Sequence, residues 1–414
     1  MNFSLPSFYF RCKIKAMKLD RFLKKKELIE LTRQLIQIPT ENPPGNEKKA
    51  ALFLKPILSK MGFRVRTYLS PKGRYNLVAE KRWGKGGRTL LFNGHLDVVP
   101  SGDPSQWKYP PFSGKLSKGR IYGRGASDMK GGIASFIHAV SMVNRSNIDL
   151  GRGSLILHLV SDEESHGHQG MGFLAQRGRI KGDAAIVGEP TNLDLVIAQK
   201  GALWLKIATF GKSAHGSRPS QGINAIEKMM KLMERLNAIP FDKEHPLLGR
   251  PTINIGKILG GSKINMVPDR CEIEVDRRLL PNETKKEVLK EIQTTIDSIQ
   301  TKDPLFKYLI EEIDYAEPSE IHPDEEIAQI GLEVAEGVLG EKPRVRGFSG
   351  FTDGRFYVNQ FKIPTLIFGP GETDQSHTTD ESIEGDALIK AAQIYARIVL
   401  KFFDGDERFT NHKS

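Results

Sequence analysis

Cysteine is almost missing from this chain: Cys12 and Cys271 are the two among 414 residues. That pair excludes a disulfide framework and a four-cysteine metal site, and it suits a reducing compartment. Any bound metal has to be held by His, Asp or Glu. Long apolar runs are missing as well, none approaching the roughly 18 residues a membrane helix needs. The 40 Gly and 23 Pro follow no repeat, which excludes a collagen-like or fibrous chain, and no internal repeat interrupts the sequence. With 39% hydrophobic and 27% charged residues the chain buries a substantial core, in two domains, and disorder is excluded as its main state.

Strong charge of one sign is confined to one end. The formal net charge is +11, and residues 1–26 carry eight basic side chains against Asp20 alone, so +7 of it sits there. The body is nearly balanced, without the interleaved basic and aromatic residues of a nucleic-acid binder. Pro6, Ser7 and Arg11 interrupt the aromatic cluster of residues 1–16, so the pattern of a secretory signal is absent. No export, no nucleic acid and no membrane are therefore expected, and a cytoplasmic location follows; a short surface anchor is the alternative reading of the terminal segment. Met17 is the expected start, because residues 17–39 read as one amphipathic helix with Leu28, Leu31, Leu35 and Ile38 near one face.

Strands and helices alternate beyond that helix. A second helix is predicted around residues 46–61, and strands at Thr89–Phe92, Ser154–Val160 and Ala184–Val187 each run into a polar, glycine-containing segment, where α/β enzymes place chemistry. From residue 198 the order becomes strand (Ala202–Phe210), helix (Asn224–Asn237), strand (Thr252–Ile258), strand (Cys271–Leu279) and helix (Thr284–Ile299), a compact α+β insertion. Another strand (Thr365–Phe368) and a closing helix (Asp386–Phe403) return to the first pattern. The expected divisions are a basic extension over 1–26, a first domain over 27–197 and 317–414, and an inserted domain over 198–316.

Chemistry-bearing residues gather at the strand ends. LLFNGHLDVVP puts His95 and Asp97 two apart after an apolar strand, so both side chains share a direction if the strand continues. GRGASDMKGG puts Asp128 in a glycine-dense turn that opens a helix. LHLVSDEES supplies consecutive acids through Glu163 and Glu164, which repel one another unless a cation compensates. IVGEP adds Glu189, and GPGETDQSHTTDE adds His377. Singly, these are as compatible with a structural histidine, a helix cap or a solvated acidic loop. Jointly, two His and several carboxylates at the strand ends of one domain suit two divalent ions, zinc first, bridged by a carboxylate.

NGHLDVVP, YGRGASDMKGG, SDEES, GEPT, AHGSRP and DQSHTTDE occur in an order that resembles the M20 zinc metallopeptidases, nearly throughout the chain from residue 27. The branch it is most similar to is that of acetylornithine deacetylases and succinyl-diaminopimelate desuccinylases, enzymes of arginine and lysine biosynthesis. The resemblance implies an aminopeptidase-like, three-layer α/β catalytic domain with a mixed sheet and a smaller inserted α+β lid, through which a homodimer forms. It implies two Zn2+, with Co2+ or Mn2+ as alternatives, and hydrolysis of the amide of a small N-acyl amino acid; a carboxypeptidase or dipeptidase with the same machinery is the alternative, and a non-catalytic homologue a more distant one. By position, His95 and His377 match terminal metal ligands, Asp128 the bridging carboxylate, and Glu164 and Glu189 the remaining ligands. Glu163 matches the general base, Asp97 the acid that orients His95, and His215 the lid histidine that stabilises the oxyanion. Asn265, Arg278 and Gly350 match substrate-binding positions. Glu189, where some dipeptidases of the family carry Asp, favours a deacylase or carboxypeptidase. Two departures stand out: the aromatic Phe351 in the substrate loop, and His166 and His168, read as solvated loop histidines or as a further metal site.

Overall fold

The computed structural model describes residues 19–404; the expected start at Met17 and most of the basic extension lie outside them. The chain divides into two compact units. One comprises the residues up to Ile197, Ile321–Arg346 and those from Thr352 onward; the other comprises Ala198–Glu320 and Gly347–Phe351, and so includes Gly350.

The first unit begins with α1 (Lys25–Ile36) and α2 (Glu47–Lys60). The helix expected over residues 17–39 is not continuous: residues 19–20 are helical, the chain breaks at 21–24, and the helix resumes at Lys25. Residues 21–24 are turn and coil, the main-chain N–H of Lys24 goes to His138 Nε2 at 3.1 Å, and the run of Lys24, Lys25 and Lys26 opposes the positive end of a helix dipole. Leu28 and Leu35 are buried, whereas Leu31 and Ile38 are half-buried and Ile38 lies past the helix end.

The chain continues through β1 (Arg64–Leu69), β2 (Tyr75–Trp83), β3 (Arg88–His95), β4 (Lys115–Ser117), β5 (Arg120–Tyr122), α3 (Gly131–Ser146), β6 (Gly153–Val160), α4 (Met171–Gln176), β7 (Ala184–Val187) and β8 (Leu195–Gln199). In the main sheet β3 pairs in parallel with both β6 and β7, and β1 and β2 extend the β6 side antiparallel. The sheet is therefore mixed with a parallel centre, and the architecture is α/β. Its central strands are apolar along their length, as strands covered on both faces must be: Leu90, Leu91, Phe92, Leu157, Leu159 and Ile186 are fully buried.

The second unit is a four-stranded antiparallel sheet. It uses β9 (Gly201–Phe210), α5 (Ala225–Asn237), β10 (Thr252–Gly260), β11 (Arg270–Leu279), α6 (Lys285–Lys302) and β12 (Lys307–Ala316), in the order β10-β11-β9-β12, followed by the short β13 (Ser319–Glu320). Alternation along β11 buries Cys271, Ile273, Val275, Arg277 and Leu279, the period-two pattern of a sheet with one packed face. Met229, Leu232, Ile292 and Ile296 of α5 and α6 join that core. A capping box between Thr284 and Glu287 starts α6. The sequence reading lacks β12, whose KYLIEEIDYA mixes apolar and acidic residues on a largely exposed strand.

The first unit closes with α7 (Glu326–Leu339), β14 (Val345–Phe348, at the division between the units), β15 (Thr365–Ile367), β16 (Ser382–Glu384) and α8 (Gly385–Asp404). β15 lies parallel to β7, while β16 pairs with β5. Helices α3 and α8 meet the sheet through an aromatic cluster: Phe92 stacks on Phe136 at 3.7 Å between centroids, and Tyr395 stands edge-on to Phe92 and Phe368. Gly132 lets α3 pass close to the end of β7, since a Cβ there would lie 2.1 Å from the Gly188 carbonyl.

Candidate active site

Four neighbouring parallel strands, in the order β6-β3-β7-β15, end on the same side of the first unit. His95 is the last residue of β3, Glu163 and Glu164 follow β6, Glu189 follows β7, and the segment after β15 leads to His377. Strands about 4.8 Å apart bring residues far apart in sequence within ligand distance of one another. Asp128 joins them from the turn before α3, where its backbone is extended rather than helical.

The Asp128 carboxylate stands between two imidazoles. Its Oδ1 is 3.0 Å from His95 Nε2, and its Oδ2 is 3.5 Å from His377 Nε2. Glu164 Oε2 lies 2.9 Å from His377 Nε2, and Glu189 Oε1 lies 3.7 Å from His95 Nε2. Potential ligand atoms of His95, Asp128 and Glu164, and of His95, Glu163 and Glu189, fall within 4.8 Å of one another. His95 Nδ1 faces the main-chain carbonyl of Asp97 at 2.9 Å. A carbonyl only accepts, so Nδ1 carries the proton and a neutral ring turns the Nε2 lone pair towards the acids.

Asp97 departs from the expectation that its side chain would run alongside His95. β3 ends at His95, the strand repeat ends with it, and the Asp97 carboxylate stays 3.8 Å from the ring. It accepts the N–H groups of Glu163 and Glu164, both at 3.3 Å, and Asn42 Nδ2 at 2.8 Å. Asp97 thus meets His95 through its main-chain carbonyl and the backbone of the paired glutamates through its side chain.

Burial and mutual repulsion dominate the electrostatics. Burial holds Glu163, Glu164 and Glu189 above the usual carboxylate range, with further increments from neighbouring acids. Burial opposes charge on His95, but Glu189, Asp128 and Glu163 outweigh it and raise the ring's pKa. The hydrogen bond with Glu164 is the main reason His377 is pushed up to about 8. Among the described residues, Glu163 Oε1 and Glu164 Oε1 are buried without a hydrogen-bond partner, an arrangement that calls for a cation. The donors are imidazoles and carboxylates with no thiolate, a set that fits divalent ions of the zinc type.

His215, Asn265, Arg278 and Gly350 belong to the second unit. His215 is exposed, and its Nδ1 accepts the Ser217 N–H at 3.1 Å, which leaves the proton of a neutral ring on Nε2 as an outward donor. Asn265 is brought to the same loop: its carbonyl accepts the Gly216 N–H at 2.8 Å, and a Cβ on Gly216 would lie 2.9 Å from the Asn265 backbone. Arg278 is held by Asp276 at 2.8 Å and faces the Phe351 ring at 5.7 Å, beside Gly350 in sequence. Its neighbour Arg277 points to the other face, buried against Glu283 at 2.7 Å.

The histidines after the paired glutamates do not match the reading of both as solvated. His166 is buried, with its carbonyl bonded by Arg355; His168 is exposed and stacks on it. The chain turns back at His166 with φ 71°, and this folds the ring inward. Among the described residues, neither groups with other metal-ligating side chains closely enough to share an ion.

Three polar residues escaped the sequence reading. Arg74 is buried and bonds Glu47 through two nitrogens and Asp162 at 2.8 Å. Glu381 is fully buried behind the Asp128 turn. Asp353 is also fully buried, accepts Asn93 Nδ2 at 3.3 Å, and is pushed up to about 7 by burial. None directly follows an apolar strand; the available signals were Glu381's place four residues after His377 and its pairing with Asp380.

Comparison with known proteins gives the family of the chain. The model of peptidase family M20/M25/M40 matches residues 91–401. A succinyl-diaminopimelate desuccinylase of Paracoccus denitrificans is 30% identical over 393 residues, covering 90% of this chain and 98% of its own. An acetylornithine deacetylase of Photorhabdus laumondii is 32% identical over 394 residues, covering 92% and 98%. Among solved structures, an M20 family metallo-carboxypeptidase from Sulfolobus solfataricus shares the fold with a TM-score of 0.77 at 21% identity, covering 92% of this chain and 100% of that one. The chain belongs to peptidase family M20/M25/M40 and is a hydrolase of amide bonds.

Proposed function

We propose that this hydrolase removes an acyl group from the amino nitrogen of a small, carboxylate-bearing amino acid, with N-succinyl-diaminopimelate as the first substrate and N-acetylornithine as the second. The observation that carries the reading is the single carboxylate of Asp128, with one oxygen towards His95 and the other towards His377. His95, Asp128 and Glu189 would hold one divalent ion, and His377, Asp128 and Glu164 the other. We assign zinc, with cobalt or manganese as alternatives. When bound, such a pair supplies Lewis acidity to an amide carbonyl and lowers the pKa of a water.

The remaining work falls to side chains. Glu163, buried with an unpartnered Oε1, takes the proton from the attacking water and returns it to the leaving amine. Asp97 fixes the main chain of Glu163 and Glu164 and, through its carbonyl, the tautomer of His95. His215 is assigned the donor to the oxyanion of the tetrahedral intermediate. Asn265 and Arg278, with the loop at Gly350, are assigned to the substrate's carboxylate groups, for which a guanidinium fork is suited. We extend the proposal to a homodimer formed through the second unit and to a cytoplasmic location; the names of the relatives and the scarcity of cysteine support the latter.

Turnover by metal-reconstituted protein, with an apo control, tests this on succinyl-diaminopimelate, N-acetylornithine, other N-acyl amino acids and short peptides. Metal-dependent cleavage of an N-acyl diamino acid is expected. Cleavage of peptides alone would replace the proposal with a carboxypeptidase or dipeptidase, and a metal-loaded but silent protein would refute it.

A further inference from the structure

Glu381 lies four residues after His377 and is fully buried. The pairing of β16 with β5 sets Ser382 opposite Tyr122, and the pairing continues one residue further: the Gly123 N–H reaches the Glu381 carbonyl at 2.8 Å. That register delivers the Glu381 carboxylate behind the turn carrying Asp128. Its Oε1 accepts the N–H groups of Ser127 at 2.8 Å and Asp128 at 3.0 Å. Its Oε2 accepts the Gly125 N–H at 2.9 Å and Arg124 Nη1 at 2.8 Å. Both oxygens are thus engaged by consecutive parts of one turn, in which Gly125 is left-handed (φ 85°) and Asp128 leaves the helical region.

We propose that Glu381 is a positioning residue that locks the Asp128 turn to the segment carrying His377, and so fixes the spacing of both halves of the two-ion centre. The inference rests on the two-ion reading above. Without the lock, the turn loses four acceptor contacts made by one side chain, and the Asp128 carboxylate is no longer aimed between the imidazoles. Because Asp128 is shared, a fault at Glu381 reaches both ions, whereas a fault in Glu164 or Glu189 acts on one.

The deciding variant is Glu381→Gln, which keeps the shape but always turns an NH2 towards two N–H donors, whichever way the amide is placed. Metal-free wild type and variant are titrated with Zn2+ against a chromophoric chelator, and kcat and KM are measured on the metal-loaded forms. The expected result is a 10–100-fold loss of affinity at both sites, with a comparable fall in kcat and an unchanged KM. A folded variant that binds both ions within about threefold of wild type, with unchanged kcat, would overturn the inference even if its melting temperature fell. Should Glu381→Gln not fold, Arg124→Lys, which removes the guanidinium contact to Oε2, is read by the same titration: weakened binding of both ions supports the lock, and unchanged binding overturns it. Wild type that takes up no ion would instead overturn the two-ion reading beneath it.

Discussion

Replacing Arg74 by methionine tests how the acidic site is held from behind. The guanidinium is buried among Glu47, which it grips through two nitrogens, Asp162 at 2.8 Å, Asn42 at 3.3 Å and the Asp97 carboxylate at 3.9 Å. Methionine fills much of the volume but leaves three buried acids without their cation. Breaking a buried pair by removing one partner costs about 3–5 kcal/mol, and this guanidinium serves several partners, so the upper end is expected at neutral pH. Burial already raises Glu47 above 4.5 and Asp162 above 3.8 with Arg74 present, and without it both rise further. A carboxylate with a raised folded pKa binds its proton more tightly when folded. The deficit is therefore full above the raised values and shrinks as pH falls through them towards 4.5 and 3.8. Urea unfolding of wild type, Arg74→Met and Arg74→Lys at pH 7.5 and pH 5.5 checks this, with the lysine variant intermediate because it keeps the charge but loses the fork. A deficit below about 1 kcal/mol, or one independent of pH, would refute the argument that Arg74 is the compensating charge.

Glu163→Gln should lower kcat by about 10²–10⁴-fold, the usual contribution of a general base, with little change in KM; steady-state kinetics on the metal-loaded protein decide it, and full turnover would remove Glu163 from the mechanism. His138 is held by burial at about 4, below 6.5, so its neutral form contributes stability that is complete above pH 6.5 and lost as pH falls towards 4. The loss should reach about 2 kcal/mol by pH 5, and denaturation of His138→Gln should lack that pH dependence. Gly132→Ala should weaken binding of the ion at Glu189, since its Cβ would press on the Gly188 carbonyl one residue before the ligand; isothermal titration of the folded variant with unaltered affinity would show that α3 can give way.

What the sequence made legible follows from where each residue sits. Apolar runs such as LILHLV and AAIV mark central strands because parallel strands covered on both faces cannot alternate. Their ends were therefore readable, and with them His95, Glu163, Glu164 and Glu189. β1, by contrast, is RVRTYL, a largely exposed edge strand whose charges hide its extended form. The continuous helix expected over residues 17–39 breaks at 21–24 in part for a tertiary reason, because no local pattern reports that His138, 114 residues away, takes the Lys24 N–H.

The same distinction separates the ligands from the groups that hold them. A ligand has to follow a strand into the site, so its neighbours in sequence announce it. A supporting residue has only to reach the ligand's backbone from any direction. Arg74 comes from the turn before β2 and Glu381 from the start of β16, and each acts on a ligand segment far away in sequence. Asp97 occupies both positions: its carbonyl meets the ring next to it, while its carboxylate meets N–H groups 66 and 67 residues away. The short-range half of its role was visible as an HxD spacing, and the long-range half required β3 and β6 to be adjacent and parallel. Substituting Asp97 by asparagine should separate the two. The main-chain carbonyl and the His95 tautomer survive, whereas one acceptor oxygen facing Glu163 and Glu164 becomes a donor. Turnover should then fall while binding of the ion at His95 persists, and loss of that ion instead would place the orienting role in the carboxylate.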